Sequence, residues 1–192
     1  EGFPTAVTGV VMSAFYGGLL IGSVLAPRLI GRVGHVRVYA AFAAIASASV
    51  LLHAVFVEPL FWALVRVLTG ISFAALFVVA ESWLNTQTRN ENRGQVLSVY
   101  MVVGFASMGL GQVLLNVADP GDFILFTLVS VLVSVAVVPM LLSTGPAPGI
   151  TPTGKLDLKR LYAASPLGIV GAFTSGVVIG AVLGMGAVFA TQ

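Results

Sequence analysis

The chain has 192 residues, of which 58% are hydrophobic and only 8% are charged, and its formal net charge is +2. A soluble domain carries about 25% charged and about 45–50% apolar residues, so this composition excludes a soluble globule. The absence of cysteine excludes a disulfide framework, a thiol nucleophile and a thiolate metal site, and the absence of a basic stripe with interleaved aromatic residues argues against nucleic-acid binding.

Six apolar segments follow one another along the chain. A helix needs about 20 residues to cross about 30 Å of hydrocarbon. Backbone amides within a membrane must be satisfied inside the segment, and the ten-residue alternating pattern of a membrane barrel is absent. We therefore predict an all-α membrane protein, a polytopic helical bundle. The predicted spans lie at about 5–27, 37–57, 60–84, 94–117, 123–143 and 166–190.

The basic residues alternate between the connections. They lie after spans one, three and five: Arg28, Arg32 and Arg37, then Arg89 and Arg93, then Lys155, Lys159 and Arg160. The other two connections contain Glu58, Asp119 and Asp122 and no basic residue. Because basic residues accumulate in cytoplasmic loops, we expect the three basic connections to face the cytoplasm. The expected location is a bacterial-type inner membrane, crossed several times.

The connection after span five differs from the others in length and composition. Ser143–Gly154 is rich in Pro, Gly and Thr, which predicts a non-helical linker. Lys155–Ala164 has the pattern of a short helix at the cytoplasmic interface, and an ordinary solvated loop fits it as well. We predict a bundle at 1–143, a cytoplasmic central loop at 144–165 and the first span of a second bundle at 166–192. Because the chain begins at Glu1 and ends within an apolar run, we expect a piece of a longer protein.

Small residues recur every four positions in the first and last spans. Such rows let membrane helices approach closely, and we interpret them as packing faces. The rows are Gly9, Ser13 and Gly17; Ala14, Gly18, Gly22 and Ala26; and Gly168, Ala172, Gly176, Gly180 and Gly184.

Arg66 is the one Lys or Arg residue that lies in the interior of a predicted span rather than in a connection or at a span's end. A charged side chain there costs at least about 2.5–3.5 kcal/mol, so it normally faces a polar cavity or a partner. Snorkelling of the side chain to the outer surface is the alternative.

Four further residues continue the helix face of Arg66 at steps of four, three, four and four: Gly70, Phe73, Phe77 and Glu81. Arg66 and Glu81 lie about 22 Å apart along the axis and cannot pair with each other. Glu81 is a candidate proton site, and its pairing with a cytoplasmic arginine is the alternative.

Other polar residues give little sign of catalysis. His53, Gln112 and Asn116 lie near the outer ends of their spans, at the depth of Arg66, and a purely structural role for His53 is the alternative. His35 and His53 lie on different segments without a metal-ligand partner at suitable spacing. No Gly-x-Ser-x-Gly turn is present. We therefore predict no enzyme activity, no catalytic or metal-binding residues and no cofactor.

Two segments carry motif-like spacing. Residues 27–37 read P-R-L-I-G-R-V-G-H-V-R, and residues 66–75 read R-V-L-T-G-I-S-F-A-A. They resemble the motifs G-R-L-A-D-R-x-G-R-R-R and R-x-x-q-G-x-g-a-a of the major facilitator superfamily (MFS) of secondary transporters. Arg32, Gly34 and Arg37 match the first motif, and Arg66 and Gly70 match the second. Gly31 stands where the first motif has Asp.

This resemblance implies helices two to seven of a twelve-helix transporter that moves a small solute by alternating access, with proton coupling as one option. The fourth helix of that family lines the central cavity. Arg66 would then bind an anionic group of the solute or tune a nearby proton site, with Gly70, Phe73 and Phe77 along the path.

The resemblance also implies that Arg32, Gly34 and Arg37 form part of a cytoplasmic gate. The expected partners are the lipid bilayer, protons and a small solute, for which an anion and a drug are both options. A non-transporting membrane scaffold or assembly factor is the alternative function.

Overall fold

The computed structural model describes residues 3–119, 121–143 and 158–190, and every regular element within these ranges is an α-helix. The helices are α1 (Thr5–Val33), α2 (His35–Val55), α3 (Pro59–Gln87), α4 (Arg93–Leu114), α5 (Phe123–Leu142), α6 (Leu158–Ala164) and α7 (Pro166–Ala190). Helices α1 to α5 are long and apolar enough to cross a membrane, and α7 contains the shorter apolar stretch Pro166–Val182. The predicted all-α bundle is confirmed.

The helix bounds follow the predicted spans, with the largest difference at the end of α1. The predicted span ended near residue 27, where the apolar run stops, but α1 continues through Pro27 to Val33. Arginine is a good helix former, so Arg28 and Arg32 extend the helix past its apolar part. Residues 144–157 of the predicted central loop, including most of the predicted linker and Lys155, lie outside the described residues, and α6 occupies the end of that connection.

Helices α1 and α3 run in the same direction and cross with their backbones close together. A Cβ added to Gly18 would collide with the carbonyl oxygen of Val67, and one added to Gly70 would collide with that of Phe15. Gly22 repeats this contact one turn further along α1. The small residues therefore allow an approach that larger side chains would prevent.

Of the two small-residue rows in α1, the structure buries one. Gly18, Gly22 and Ala26 are buried, whereas Ser13 is exposed and a Cβ on Gly17 would meet nothing within 4 Å. The second row is therefore the packing face against α3.

Helix α2 packs between α3 and α5. A buried serine cluster joins α2 to α5, with 2.7 Å between the hydroxyl oxygens of Ser47 and Ser130 and 3.1 Å between those of Ser47 and Ser134. Hydroxyl groups within a membrane need such partners, because lipid offers none.

The apolar core lies where α1, α2 and α3 meet at the end that carries the basic connections. Its buried members are Ala26, Ile30, Val38, Phe42, Ala75 and Val79. Helix α4 buries no side chain and, among the described elements, packs only lightly on α3. Helix α7 contacts α1, where the Tyr16 hydroxyl donates to the Gly180 carbonyl oxygen at 3.4 Å.

Candidate functional site

The predicted face of α3 lies on a different side of the helix from its buried residues Ser72, Ala75 and Val79. Along that face, Arg66 and Phe73 are half-buried, Phe77 is 51% exposed and Glu81 is exposed. The face therefore becomes more open toward the basic end of the bundle.

Aromatic rings cover the middle of this face. The ring of Phe73 lies 6.2 Å from that of Phe77 and 6.3 Å from that of Phe15 on α1, measured between centroids. The structure thus brings two of the predicted residues together and adds Phe15, which no sequence pattern pointed to. The three rings form a continuous apolar strip beside α1.

Gly70 occupies a different environment from the other residues of the predicted face. It is buried in the crossing with α1, where a Cβ on Gly70 would lie 3.0 Å from the Cα of Gly18. Its contribution in this structure is to let α1 and α3 approach, which also brings Phe15 beside Phe73.

The side chain of Arg66 is half-buried on α3. The Nε atom of Arg66 is buried and has no hydrogen-bond partner. The guanidinium lies near enough to His53 of α2 for the two groups to interact electrostatically. The two residues also lie at a similar level of α2 and α3, because Trp62, one turn before Arg66, donates to the His53 carbonyl oxygen.

Trp62 holds the outer ends of α2 and α3 together, one turn before Arg66. Its indole N–H donates to the carbonyl oxygens of His53 at 3.0 Å and Phe56 at 2.8 Å. Its ring also packs edge-on against His53, with 5.5 Å between centroids. An indole near a membrane surface commonly finds such a hydrogen-bond partner, but the sequence did not show which carbonyl would accept.

Glu81 is separated from Arg66 along α3, as the axial rise predicted. Its carboxylate acts electrostatically on the hydroxyl of Tyr100, which lies on α4. Among the described residues, no hydrogen bond or ion pair joins Glu81 to an arginine.

The candidate gate residues form a tight corner between α1 and α2. Gly34 is the single residue between the two helices, and its amide donates to the Ile30 carbonyl oxygen at 2.9 Å. Arg32 is exposed on the last turn of α1, and Arg37 is exposed on α2 and donates to the Val33 carbonyl oxygen at 3.3 Å.

A contact that the sequence did not predict fastens this corner to the end of α3. His35 is 3% exposed, its Nε2 lies 3.1 Å from the Ser82 hydroxyl oxygen, and its ring packs edge-on against Trp83. His35 occupies a position where the first motif of the superfamily has Arg. A buried aromatic contact is therefore found here in place of a charged side chain.

A groove of about 480 Å³ lies between α1 and α7 and includes Ser13, Tyr16 and Gly180 in its lining. It contains none of the predicted site residues. Within the described ranges, no three His, Asp or Glu side chains lie close enough together to hold a metal ion.

Comparison with known proteins identifies relatives of the chain. The family model of the Major Facilitator Superfamily matches residues 2–192. An uncharacterized MFS-type transporter of Yersinia enterocolitica is 33% identical over 191 residues, which cover 95% of this chain and 48% of that protein. Another from Enterobacter sp. (strain 638) is 30% identical over 188 residues, or 96% of this chain and 49% of the relative.

A third relative, the uncharacterized MFS-type transporter YcaD of Escherichia fergusonii, is 28% identical over 191 residues, covering 96% of this chain and 49% of YcaD. No solved structure matches the chain significantly. The chain spans about half the length of these relatives, all of which are named as transporters rather than enzymes. With its apolar helices and its two motifs in family order, the chain belongs to the Major Facilitator Superfamily.

Proposed function

We propose that the protein containing this chain is a secondary transporter that moves a small solute across the inner membrane of a bacterium by alternating access. The observation that carries the proposal is Arg66, a cation inside a span whose Nε has no hydrogen-bond partner. Keeping a guanidinium at this depth costs at least about 2.5–3.5 kcal/mol. An aqueous route beside Arg66, open to an anionic group of the solute, offsets that cost.

The aromatic strip of Phe15, Phe73 and Phe77 forms one wall of this route. On α3 it begins at Phe73, about two helical turns beyond the half-buried Arg66, and continues to the exposed Phe77 nearer the basic end. A solute with an apolar body and one charged group suits such a wall, since pockets for small molecules combine apolar linings with few polar groups.

The corner between α1 and α2 acts as part of the cytoplasmic gate in this proposal. Gly34 makes the sharp connection, and Arg32 and Arg37 carry exposed charges on either side of it. Glu81 near Tyr100 is the proposed proton site at this end. The loop 144–165 joins the bundle 1–143 to the bundle that begins at 166.

The proposal predicts that Arg66→Ala in the full-length protein abolishes transport. The experiment measures uptake of a panel of radiolabelled organic anions and cations into proteoliposomes, with and without a pH gradient. Arg89→Ala is the matched control, because Arg89 is an exposed arginine in a connection. We expect at least about a hundredfold lower uptake of the best anion for Arg66→Ala, since removing a charged hydrogen-bond donor costs about 3 kcal/mol, and little change for Arg89→Ala.

Two results contradict this assignment. Unchanged uptake kinetics in correctly inserted Arg66→Ala protein would remove Arg66 from the solute path. Absence of flux for every solute of the panel would favour the alternative of a non-transporting scaffold.

A further inference from the structure

Buried polar atoms without partners are concentrated at one place in the bundle. Among the described residues, four such side-chain atoms occur: His35 Nδ1, Ser49 Oγ, His53 Nε2 and Arg66 Nε. The last three lie on the facing outer halves of α2 and α3. Such atoms are rare in folded proteins, and a cluster of them points to an unseen ligand or water.

The position of the three atoms follows from the contacts of Trp62. Its indole donates to the His53 carbonyl oxygen, so the two residues lie at the same level of antiparallel helices. One turn further into the membrane, α3 presents Arg66 and α2 presents Ser49. Ser49 is 1% exposed and His53 is 6% exposed, so neither side chain finds its partner in bulk water.

The hydrogen-bond roles of His53 are set by its own helix. Its Nδ1 lies 2.8 Å from the Ser49 carbonyl oxygen, which can only accept, so Nδ1 carries a proton. In the neutral ring, Nε2 is then an acceptor, while Arg66 Nε is always a donor. A carboxyl group matches this pair, because one oxygen accepts from Arg66 and the other shares a proton with His53 Nε2.

Few titratable groups other than His53 lie near this site to accept a proton. Helix α3 contributes Arg66 and, at its outer start, Glu58, whose carboxylate accepts from the Phe61 amide at 2.7 Å. Helix α5 has no titratable side chain between Phe123 and Leu142, and α1 contributes only Tyr16 in its outer half. Helix α2 itself carries no other titratable group near this end.

We propose that Arg66, His53 and Ser49 form a carboxylate site that takes up one proton with each carboxylate, and that His53 Nε2 holds the proton. This rests on the proposed function for the route beside Arg66. The anion brings one negative charge and the proton, taken from water, brings one positive charge. Their joint entry leaves the charge of the site unchanged, which matters because an unbalanced charge is costly away from water.

The experiment uses the full-length protein in nanodiscs near pH 7, with sodium acetate as the probe and sodium chloride at equal ionic strength as the reference. Proton uptake is measured in weakly buffered solution, and acetate binding is measured by the ring nitrogen signals of 15N-labelled histidine and the Nε signals of labelled arginine. The variants are Arg66→Gln, His53→Gln and His35→Gln. His35→Gln is the matched control, because His35 is also buried with an unpartnered nitrogen but lies at the opposite end of α2.

We expect uptake of one proton per bound acetate in the native protein and in His35→Gln. His53→Gln should still bind acetate but lose the proton uptake, and Arg66→Gln should bind acetate at least about tenfold more weakly, since a charge-assisted hydrogen bond is lost. Equal proton uptake in His53→Gln would overturn the proposal, as would acetate acting no differently from chloride, which would leave only ordered water at the site.

These results separate the two proposals. Solute flux in proteoliposomes without acetate-linked proton uptake would retain transport and reject the carboxylate site. Acetate-linked proton uptake at His53 without any flux would retain the site and reject transport.

Discussion

Gly34 shows how much a single residue decides at the basic end of the bundle. It is the single residue between α1 and α2, and its φ of +86° is one that residues other than glycine rarely adopt. Its amide donates to the Ile30 carbonyl oxygen in the last turn of α1, and its carbonyl oxygen accepts from the Val38 amide at 3.3 Å in the first turn of α2. The corner therefore needs this backbone conformation, which explains physically why glycine occupies this position.

We predict that Gly34→Ala destabilises the full-length protein by about 1–3 kcal/mol, because a non-glycine residue is strained in this conformation. The measurement is thermal unfolding in detergent. Gly104→Ala is the control, since Gly104 is helical and a Cβ there would meet nothing within 4 Å. The control should be neutral or slightly more stable because alanine favours helices, and an equal loss in both variants would contradict the explanation.

At the scale of the elements, α1 and α3 make the most extensive contact of any two described helices. Lipid is as apolar as leucine, so helices in a membrane gain little from hiding apolar side chains and associate through close packing instead. Gly18 and Gly70 face each other across this crossing. The position of Phe15 beside Phe73, and with it the aromatic strip, depends on that approach.

Gly70→Ala is therefore expected to separate the two helices and to destabilise the protein by about 1–3 kcal/mol, as overpacking does. Its control is Gly111→Ala on α4, where the added methyl group would meet nothing within 4 Å. Thermal unfolding of both variants tests the difference. Should Gly70→Ala unfold at the same temperature as the control, the close crossing would not stabilise the bundle.

At the scale of the whole molecule, the charge pattern determines the predicted orientation. The connection between α3 and α4 carries Arg89, and that between α4 and α5 carries Asp119 and Asp122 without a basic residue. Because α4 is long and apolar enough to cross a membrane, we expect these connections on opposite sides, with the basic one in the cytoplasm.

Single cysteines at Asn90 and Gly121 test this orientation, since the chain has no cysteine of its own. Both positions are exposed. In intact cells, an impermeant thiol reagent should label the cysteine at 121 and leave the one at 90 unlabelled until the cells are opened. Labelling of both positions from the same side would refute the orientation.

Part of the candidate site could be read from the chain without a structure. Helical spacing put Arg66, Phe73 and Phe77 on one face, and depth put His53 near the level of Arg66. The contacts of His35 with Ser82 and of Trp62 with the His53 carbonyl could not be predicted, because the partners are 47 and 9 residues apart and belong to different helices. Spacing within one helix carries no information about such pairs.

The amino-acid order by itself determined the helices, their approximate ends and the expected side of each connection. These properties are local, because the length of an apolar run is compared with the thickness of the bilayer and loop charges act on their own neighbouring spans. Only the tertiary structure decided which small-residue row of α1 is buried, that Gly70 faces α1, and that Ser49 Oγ, His53 Nε2 and Arg66 Nε are buried without hydrogen-bond partners. The rotation of a helix about its axis is set by packing against its neighbours. Because the lipid is as apolar as the helix surfaces, the pattern of apolar residues does not show which side of a helix faces another helix.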